Sequence, residues 1–496
     1  MVEASVIDQF TKYREQVIGI SQVFDTPYGS QKLIYADWTA SGRMYNGIEK
    51  RMLDEVFPLV GNTHTETNVT GTSMTLAYHK AMKIIKQHVN ASSDDILIST
   101  NSGMTGVVNK FQRILGLKIH ESFRKQIKIS NKDRPVVFLS HMEHHSNQTT
   151  WLETICEVVV VEPNEAGLIC LENFENTIKE YSDRKIKIAA ITSCSNVTGI
   201  HAPYHQIAEI IHNNGGLCFV DFACSAPYVE INMHPENDAQ YLDAIYFSPH
   251  KFLGGPGTAG ALVFNKKLYK NDVPDNPGGG TVDWTNPWGQ HKYVDDIEAR
   301  EDGGTPSFLQ TIKSALCVKL KDEMGVQAMH DKENELLNIM WDGLIDIPNL
   351  HILADNVKSR HGIISFYIDD LHFNLGVKLL NDRFGIQVRG GCSCAGTYGH
   401  YLLHVDQQFS NKITNEINHG NLTDKPGWIR LSIHPIMSED EMHFMVESVK
   451  DVAENYKSYA LDYSYDSKTN EFNFVGESKG DDISQKVENW FNEKLS

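Results

Sequence analysis

A lysine that follows a short apolar run has the surroundings that point most directly to covalent chemistry. Lys251 lies in the segment SPHKFLGGPGTAG, after an apolar run that ends at Ser248 and before a glycine-rich loop. Burying an ammonium group is costly, and desolvation favours the unprotonated amine that attacks an aldehyde. The segment is therefore typical of a lysine that forms a Schiff base. A surface lysine at a strand end explains this segment, taken alone, equally well.

An acidic residue closes another apolar run thirty residues earlier. Asp221 ends the run LCFVD, and the carboxyl ends of parallel strands line the ligand crevice of an α/β sheet. A carboxylate there can pair with a protonated pyridine nitrogen, which makes the ring a stronger electron sink. A lone aspartate at this place more often caps the next helix. The pair Asp221 and Lys251 shifts the balance toward a site for pyridoxal phosphate (PLP).

Three other segments after apolar runs carry residues that suit the rest of this cofactor. Gly103, Met104 and Thr105 in STNSGMTG precede a helix-like segment, whose free N–H groups favour a phosphate. His144 in HMEHHSN can lie flat on an aromatic ring, and Asn196 in SCSNVTG can donate to a ring oxygen. The alternatives are a plain helix cap, a cap or core histidine, and a turn asparagine.

Two cysteines and two arginines in the C-terminal third suit substrate chemistry. Cys392 and Cys394 lie in VRGGCSCAGTYGH, and a thiol on a mobile glycine-rich loop is typical of a nucleophile. Arg389, just before them, and Arg430 in WIRLSIHP can bind a carboxylate through the guanidinium fork. For Arg430 the alternative is a strand-edge arginine bonded to a local acid.

A zinc site is the competing interpretation of the histidines. His141, His144 and His145 lie close together in the sequence, and Cys392 and Cys394 could supply thiolates. None of the usual paired zinc spacings is present. We therefore expect no metal.

The elements that must position these residues alternate between strands and helices. Short apolar runs predict buried strands over residues 96–99, 136–140, 188–193, 217–221, 244–248 and 261–264. Amphipathic segments at 171–181 and 204–213 lie between them. This alternation indicates an α/β fold, with a largely parallel sheet and helices on both faces.

The pattern changes after about residue 310. It predicts a long helix over 307–344, strands over 362–368, 386–389 and 428–433, and helices over 373–384 and 438–456. A hairpin (YSYDSKTNEFNF) and a short amphipathic helix (DDISQKVENWFNEKLS) follow, with no function assigned to them. We expect an N-terminal segment (1–35), a large α/β domain (36–310), a smaller α+β domain with the cysteine loop (311–456) and a C-terminal appendage (457–496).

Composition narrows the class of protein. The 496 residues carry a net charge of −19, which argues against nucleic acid or an anionic membrane surface as a partner. No signal peptide or membrane-spanning stretch is predicted. The eight scattered cysteines are typical of free thiols in a reducing compartment. We therefore expect a cytoplasmic protein.

In this order, the segments resemble the class V aminotransferase-fold PLP enzymes, most closely the cysteine desulfurase and selenocysteine lyase group. The resemblance runs from about residue 33 to about residue 449, through SGMT, EHHSN, SNVTG, VDFA, SPHKFLGGPGTAG, GGGT, GGTPS, RGGCSCAG and IRLS. It implies the aspartate aminotransferase-like fold of PLP-dependent transferases. In that fold a mostly parallel, mixed seven-stranded sheet forms the large domain, and a smaller α+β C-terminal domain follows.

The resemblance also implies a role for each cofactor residue. Lys251 carries the Schiff base, Asp221 pairs with the pyridine nitrogen, and His144 stacks on the ring. The segment Gly280-Thr281 is implied to reach the phosphate bound in a neighbouring subunit, and hence a homodimer. The remaining assignments are Asn196 to the ring hydroxyl, and Gly103, Met104, Thr105, Ser248 and His250 to the phosphate.

The activity that the resemblance implies is conversion of L-cysteine to L-alanine, with persulfide formation on Cys394 and transfer to a sulfur-acceptor protein. Arg430, with Arg389 nearby, would take the substrate carboxylate. A related PLP-dependent lyase, epimerase or aminotransferase is one alternative, and a non-catalytic scaffold or sulfur-relay protein is another. Two departures stand out. Cys224 lies three residues after Asp221, where members of the family commonly have a glutamine. Cys392 is a second cysteine in the loop, and it is either a bystander, which we favour, or a thiol that resolves a persulfide.

Overall fold

The structure is a computed structural model, and it describes residues 9–63, 65–476 and 483–495. The chain forms two compact units. The larger comprises Thr39–Asp331 and Cys394–Tyr401, and the smaller comprises Met1–Trp38, Lys332–Ser393 and Leu402–Ser496. This division differs from the predicted domains. The N-terminal segment and the C-terminal appendage belong to the smaller unit, and the segment that begins at Cys394 belongs to the larger one.

A mixed seven-stranded sheet forms the centre of the larger unit, as predicted. The strand Gly260–Asn265 runs antiparallel to both of its neighbours, and the other neighbouring pairs are parallel. The six predicted strands are present, and no end is shifted by more than one residue. Across the sheet the order is Asp95–Thr100, Gly260–Asn265, Ala244–Phe247, Leu217–Asp221, Lys187–Thr192, Val136–Ser140 and Glu157–Val161. The last is an edge strand that the sequence analysis does not predict, although its four consecutive valines indicate it.

The strands Val136–Ser140 and Lys187–Thr192 are buried at every position, so both faces of the sheet are covered. The Phe111 ring, on the helix Gly103–Ile114, packs against Phe219 and Phe264 with ring centroids 5.0 Å apart in each pair. The register pairs Thr192 with Asp221 and Asp221 with Tyr246. The carboxyl ends of these strands, and the loops that follow them, therefore lie at one edge of the sheet.

Helices and one hairpin complete the larger unit. The helices predicted near 171–181 and 204–213 are present as Leu171–Glu180 and Tyr204–Asn213. The strands Val282–Thr285 and His291–Tyr293 form an antiparallel pair. The other α-helices are Asn46–Arg51, Val69–His88, Gly103–Ile114, Glu121–Arg124, His145–Leu152, Ile297–Glu301 and Gly396–Leu402.

The single long helix predicted over 307–344 is wrong. The structure has two helices, Phe308–Met324 and Val326–Leu344, which are separated at Gly325. Gly325 has a φ of 78°, a conformation that side chains with a Cβ rarely adopt. The break therefore follows from a glycine within an otherwise helical pattern.

The smaller unit is built on a four-stranded antiparallel sheet. Its order is Leu350–Ile352, Ile363–Ile368, Trp428–Ser432 and Arg389–Gly391. The single strand predicted over 386–389 is wrong, because Ile386–Gln387 pairs separately with Ile34–Tyr35. A second hairpin joins Val23–Thr26 to Gly29–Lys32. The helices are Thr11–Arg14, Phe373–Phe384, Gln407–Asn418, Glu439–Tyr459 and Ile483–Asn492.

The C-terminal hairpin is part of the smaller unit's packed structure. Its strands are Tyr463–Asp466 and Glu471–Phe474, as predicted. The buried Tyr463 hydroxyl donates to Asp382 Oδ2 over 2.9 Å. The two aspartates predicted to begin the last helix, residues 481 and 482, lie outside the described residues. Within the described part of the chain, we find no helix whose length and hydrophobicity would let it cross a bilayer.

Candidate active site

Lys251 lies in a short turn at the carboxyl end of a buried strand. The strand Ala244–Phe247 runs into the 3-10 turn Pro249–Lys251. The Gly42 N–H donates to the His250 carbonyl over 2.9 Å, and a Cβ at Gly42 would lie 1.9 Å from the Phe252 carbonyl oxygen. A glycine upstream of the sheet therefore braces the lysine turn, a contact that the sequence analysis does not predict.

Asp221 is a buried carboxylate within electrostatic reach of Lys251. Its Oδ1 accepts a hydrogen bond from the Ala223 N–H over 2.8 Å. Burial raises the pKa of Asp221 to about 6, although the Ala223 hydrogen bond and the Lys251 charge act in the opposite direction. A cationic group beside this carboxylate would offset the cost of its burial, as a protonated pyridine nitrogen would.

The residues predicted for a phosphate meet at the start of the helix Gly103–Ile114. The Met104 N–H donates to Ser248 Oγ over 2.7 Å. A Cβ at Gly103, which has a φ of 59°, would lie 3.0 Å from Ser248 Oγ and 3.9 Å from His250 Cδ2. Burial and the Lys251 charge lower the pKa of His250 to about 4, so its ring is neutral. This cradle at a helix N-terminus suits a phosphate group.

His144 caps the helix His145–Leu152. Its Nδ1 accepts a hydrogen bond from the Ser146 N–H over 3.1 Å, which assigns the proton of the neutral ring to Nε2. Ser146 Oγ lies 2.7 Å from Thr105 Oγ1 and so links this helix start to the phosphate cradle. This helix cap is the alternative role that the sequence analysis gives for His144, and stacking of its ring on a cofactor stays a prediction.

Asn196 lies in a tight turn, as its alternative interpretation holds. The Val197 and Thr198 N–H groups lie 3.1 Å and 3.2 Å from Ser195 Oγ. The buried Cys224 thiol lies 3.9 Å from the Ser195 carbonyl oxygen. Cys224 thus lies beside the turn that carries Asn196, and its thiol is a weaker donor than the amide of a glutamine.

The sequence analysis does not predict a buried network of hydrogen bonds around Glu143 and Asn147, which lies behind the strand ends. Glu143 accepts hydrogen bonds from Ser140 Oγ at 2.5 Å, the Thr192 N–H at 3.0 Å and Asn147 Nδ2 at 2.7 Å. Tyr246 donates to Asn147 Oδ1 over 2.6 Å. Burial raises the pKa of Glu143 to about 7 despite these hydrogen bonds. The signal in the sequence is the spacing of Glu143 and Asn147 around His144.

The Cys394 segment is hydrogen-bonded within the larger unit. The His145 N–H donates to the Cys394 carbonyl over 2.7 Å, and the Gly396 N–H donates to His145 Nε2 over 3.0 Å. The Cys394 side chain is exposed, whereas Cys392 is half-buried and belongs to the smaller unit. The glycine-rich sequence predicts a mobile loop, and it does not reveal these hydrogen bonds to the backbone of Cys394 and Gly396.

The two candidate carboxylate-binding arginines are bonded to an acid within the smaller unit. Arg430 Nη2 lies 2.7 Å from Asp37 Oδ1, and Arg389 Nε lies 3.0 Å from Asp37 Oδ2. This is the alternative interpretation of Arg430, but the acid is not local in the sequence, and the strand Trp428–Ser432 is internal to its sheet. The sequence analysis does not identify Asp37.

In the segment Gly280-Thr281, the threonine hydroxyl forms a local hydrogen bond. Thr281 is buried, and its Oγ1 donates to the Gly278 carbonyl over 2.7 Å. Gly280 is exposed and has a φ of 84°. The contact predicted for this segment is with a second subunit, and it stays a prediction.

Among the residues that the structure describes, no group of three His, Cys, Asp or Glu side chains could hold a metal ion. His141 Nε2 lies 3.0 Å from the Gly167 carbonyl oxygen. Burial lowers the pKa of His145, and its Nε2 is engaged by the Gly396 N–H. These two histidines thus have protein partners of their own.

Comparison with known proteins gives one family. The family model for class-V aminotransferases matches residues 34–444. A probable cysteine desulfurase of Halalkalibacterium halodurans is 28% identical over 379 residues, which is 75% of this chain and 86% of the relative. A probable cysteine desulfurase of Staphylococcus epidermidis is 27% identical over 380 residues, again 75% of this chain and 86% of the relative.

Solved structures share the fold. The apo structure of the cysteine desulfurase from Thermococcus onnurineus superposes with a TM-score of 0.71 at 20% identity and covers 90% of this chain and 98% of its own. The Escherichia coli cysteine desulfurase CsdA, in its S-sulfonic acid form, gives a TM-score of 0.68 at 19% identity with the same coverage. The prediction of a PLP-dependent transferase fold is confirmed.

Enzymes of this family depend on PLP, and the residues present fit that group. The buried Asp221 carboxylate suits the ring nitrogen, and the cradle at Gly103 and Ser248, which a Cβ would fill, suits the phosphate. Lys251 lies within electrostatic reach of Asp221. The match over residues 34–444 covers most of the chain. On this evidence the chain belongs to the class-V aminotransferase family and is a PLP-dependent enzyme.

Proposed function

We propose that the chain is a cysteine desulfurase, which converts L-cysteine to L-alanine and leaves a persulfide on Cys394. The observation that carries the proposal is an exposed thiol on a backbone segment that is bonded to His145, the residue after His144. The names of the relatives in Halalkalibacterium and Staphylococcus support the same activity.

Each cofactor residue would act through a group already described. Lys251 would hold PLP covalently through Nζ, and Asp221 would keep the pyridine nitrogen protonated. Gly103, Met104 and Ser248 would hold the phosphate. When bound, PLP supplies an electron sink for the electron pair released at the substrate α-carbon. The Lys251 amine would carry the α-proton, as a general base and then as a general acid.

Cys394 would take the sulfur. Its thiolate attacks the sulfur of the bound L-cysteine, an S–S bond forms, and the Cβ–S bond breaks. The electron pair of the broken bond stays with the carbon fragment, which gains protons and leaves as alanine. The sum is L-cysteine plus the Cys394 thiol, giving alanine plus the Cys394 persulfide. A sulfur-acceptor protein would then take the outer sulfur.

Arg430, with Arg389 nearby, would bind the substrate carboxylate. The guanidinium group forms paired hydrogen bonds with carboxylates. Asp37 contacts one nitrogen of each arginine. Because Arg430 is 3% exposed, Asp37 would hold its guanidinium group in a fixed orientation.

A homodimer is part of this proposal. Large apolar side chains are exposed on the larger unit over residues 53–76, among them Leu53 at 64%, Val69 at 69% and Leu76 at 59% exposure. Trp288, on the turn that follows Gly280-Thr281, is 81% exposed. Association with a second copy would cover exposed apolar side chains such as these. Sedimentation of the purified protein would test it, and a monomer would count against it.

A cytoplasmic location also belongs to the proposal. The structure has no disulfide among the eight cysteines, all of which lie in the described part of the chain. Free thiols persist in reducing compartments. Microscopy of the tagged protein in its own cell would test this location.

The test is to incubate the PLP-loaded protein with L-cysteine and to quantify alanine and Cys394 persulfide together. Cys394→Ala is the test variant, and Cys392→Ala is the matched control. We expect both products from the wild type and the control, and neither from Cys394→Ala. If alanine forms equally well without Cys394, the desulfurase proposal fails. A related lyase, epimerase or aminotransferase activity would then be sought with other amino acids.

A further inference from the structure

We infer that His145 and Gln148 are positioning residues that fix the backbone of Cys394. The Cys394 thiol therefore stays in place, and a sulfur acceptor has to come to it. The inference rests on the proposed function for the transfer of sulfur. Its structural part, the fastening of the segment Cys394–Tyr401, concerns the larger unit alone.

His145 grips the segment at two points. Its backbone N–H donates to the Cys394 carbonyl over 2.7 Å, and its ring Nε2 accepts from the Gly396 N–H over 3.0 Å. A Cβ at Gly396 would lie 3.2 Å from this ring nitrogen. The glycine therefore allows the close approach that the hydrogen bond requires.

Gln148 adds a side-chain contact one turn along the same helix. Its amide nitrogen lies 2.8 Å from Thr397 Oγ1, and its amide oxygen lies 2.9 Å from the same hydroxyl. Residues three apart share a helix face, so Gln148 and His145 hold neighbouring parts of the segment.

The rest of the segment is fastened too. The Tyr398 ring is 1% exposed, and its hydroxyl lies 3.2 Å from Thr198 Oγ1. Tyr401 donates to Glu162 Oε2 over 2.9 Å. Of the side chains from Cys394 to Tyr398, that of Cys394 is exposed, whereas Ala395 and Tyr398 are buried. The backbone is held, and the thiol faces solvent.

Backbone conformation agrees with this fastening. Ser393 and Cys394 have φ values of 51° and 57°. Residues with a Cβ rarely adopt this left-handed region, and they keep it where surrounding contacts fix it. The hydrogen bonds of His145 supply such contacts at the Cys394 carbonyl and at the Gly396 N–H.

An excursion of Cys394 would have to break these contacts, and an acceptor that approaches it would not. The acceptor chemistry that fits is a thiolate, either of a small molecule or on the surface of a protein. The acceptor thiolate attacks the outer persulfide sulfur and forms a new S–S bond. The old S–S bond breaks, and its electron pair returns to Cys394 Sγ as thiolate, so no external oxidant or reductant is needed.

The first experiment measures amide hydrogen exchange over residues 392–401 in the PLP-loaded protein. We compare His145→Ala, His145→Gln and Gln148→Ala with wild type. The control is His419→Ala, an exposed histidine whose ring bonds to a carbonyl of its own helix. We expect exchange in this peptide about ten-fold faster in His145→Ala and Gln148→Ala, with partial recovery in His145→Gln, because its amide oxygen can accept from Gly396. Unchanged exchange in both alanine variants would overturn the inference.

The second experiment measures a single turnover with L-cysteine in the same variants. We expect the rate of persulfide formation on Cys394 to fall about ten-fold in His145→Ala, with the substrate KM unchanged, because the thiol is misplaced and the substrate site is not. A change in KM with an unchanged rate of persulfide formation would contradict a positioning role. If wild type forms no persulfide, the proposed function fails, whereas the exchange result still decides the fastening. If His145→Ala does not fold, Gln148→Ala carries both measurements.

Discussion

Arg389 and Arg430 face each other across two antiparallel strands, with the carboxylate of Asp37 between them. Like charges directly opposite each other destabilise a sheet. The Arg430 side chain is 4% exposed, whereas that of Arg389 is 52% exposed, so most of the burial cost falls on Arg430. The carboxylate of Asp37, which contacts both guanidinium groups, offsets this cost.

Asp37→Asn is expected to lower the free energy of unfolding by about 3 kcal/mol, because it leaves a buried guanidinium group beside a second cation. Urea titration followed by circular dichroism measures this. Arg389→Gln is the matched control and should cost less than about 1 kcal/mol, since its side chain is half exposed. Equal losses in the two variants would contradict the role given to Asp37.

Asp221 predicts a pH-dependent stability of the cofactor-free protein. Its pKa is raised from 3.8 to about 6 in the folded chain, so the unfolded chain gives up this proton more easily. The folded state therefore loses stability from this group as the pH rises. Relative to Asp221→Asn, the wild type should lose about 1.5 kcal/mol between pH 5 and pH 8.

Added PLP should reverse this loss in the wild type and not in Asp221→Asn. Urea titrations at the two pH values, with and without PLP, measure both effects. Activity of the variant should fall on the order of 100-fold, because a fixed charge at the reacting ring is lost. A variant that gains as much stability from PLP as the wild type would show that Asp221 does not face the cofactor.

The phosphate cradle is tested by Ser248→Ala and Gly103→Ala. The first removes the acceptor of the Met104 N–H, and the second places a Cβ 3.0 Å from Ser248 Oγ at a φ of 59°. We expect each to weaken PLP binding about ten-fold, as loss of one hydrogen bond near a charged group does. Titration of the cofactor-free protein, followed by PLP absorbance, measures the dissociation constant. The exposed Ser130→Ala serves as control and should bind PLP as the wild type does.

Glu143→Gln tests the buried network. Ser140, Thr192 and Asn147 all donate to this carboxylate, so an amide nitrogen in its place must face a donor. We expect a loss of about 2 kcal/mol in unfolding free energy. Tyr246→Phe removes one hydrogen bond at the far end of the network and should cost about 1 kcal/mol. If Glu143→Gln leaves the unfolding free energy unchanged, the carboxyl group of Glu143 is protonated in the wild type and already donates a hydrogen bond.

Periodicity and turn residues predicted most elements of this fold. Buried runs such as LCFVD predict strands, and the helix Tyr204–Asn213 has the predicted bounds, with Asn214, Gly215 and Gly216 directly after it. Failures occurred where a local pattern is ambiguous. A helical pattern continues through Gly325, and the pattern alone does not show that one helix ends there and another begins.

The candidate site was predictable in its residue types and not in its contacts. Lys251, Asp221 and Ser248 lie at strand ends, where sequence signals are strong. Asp37 and His145 act through partners more than two hundred residues away in the chain, and no local pattern encodes such a partner. The hydrogen bonds of the Cys394 segment were not predicted for the same reason, since glycine content does not reveal what a backbone is bonded to.

The pairing of Ile34 with Ile386 has a consequence for the order in which the chain folds during synthesis. All seven strands of the larger sheet have been translated once Asn265 has left the ribosome. The strand Ile34–Tyr35 of the smaller unit must wait for its partner Ile386–Gln387, which lies more than three hundred residues downstream. Nascent chains therefore pass through a stage in which the N-terminal segment is made but has no sheet to join, and chaperones would meet it there.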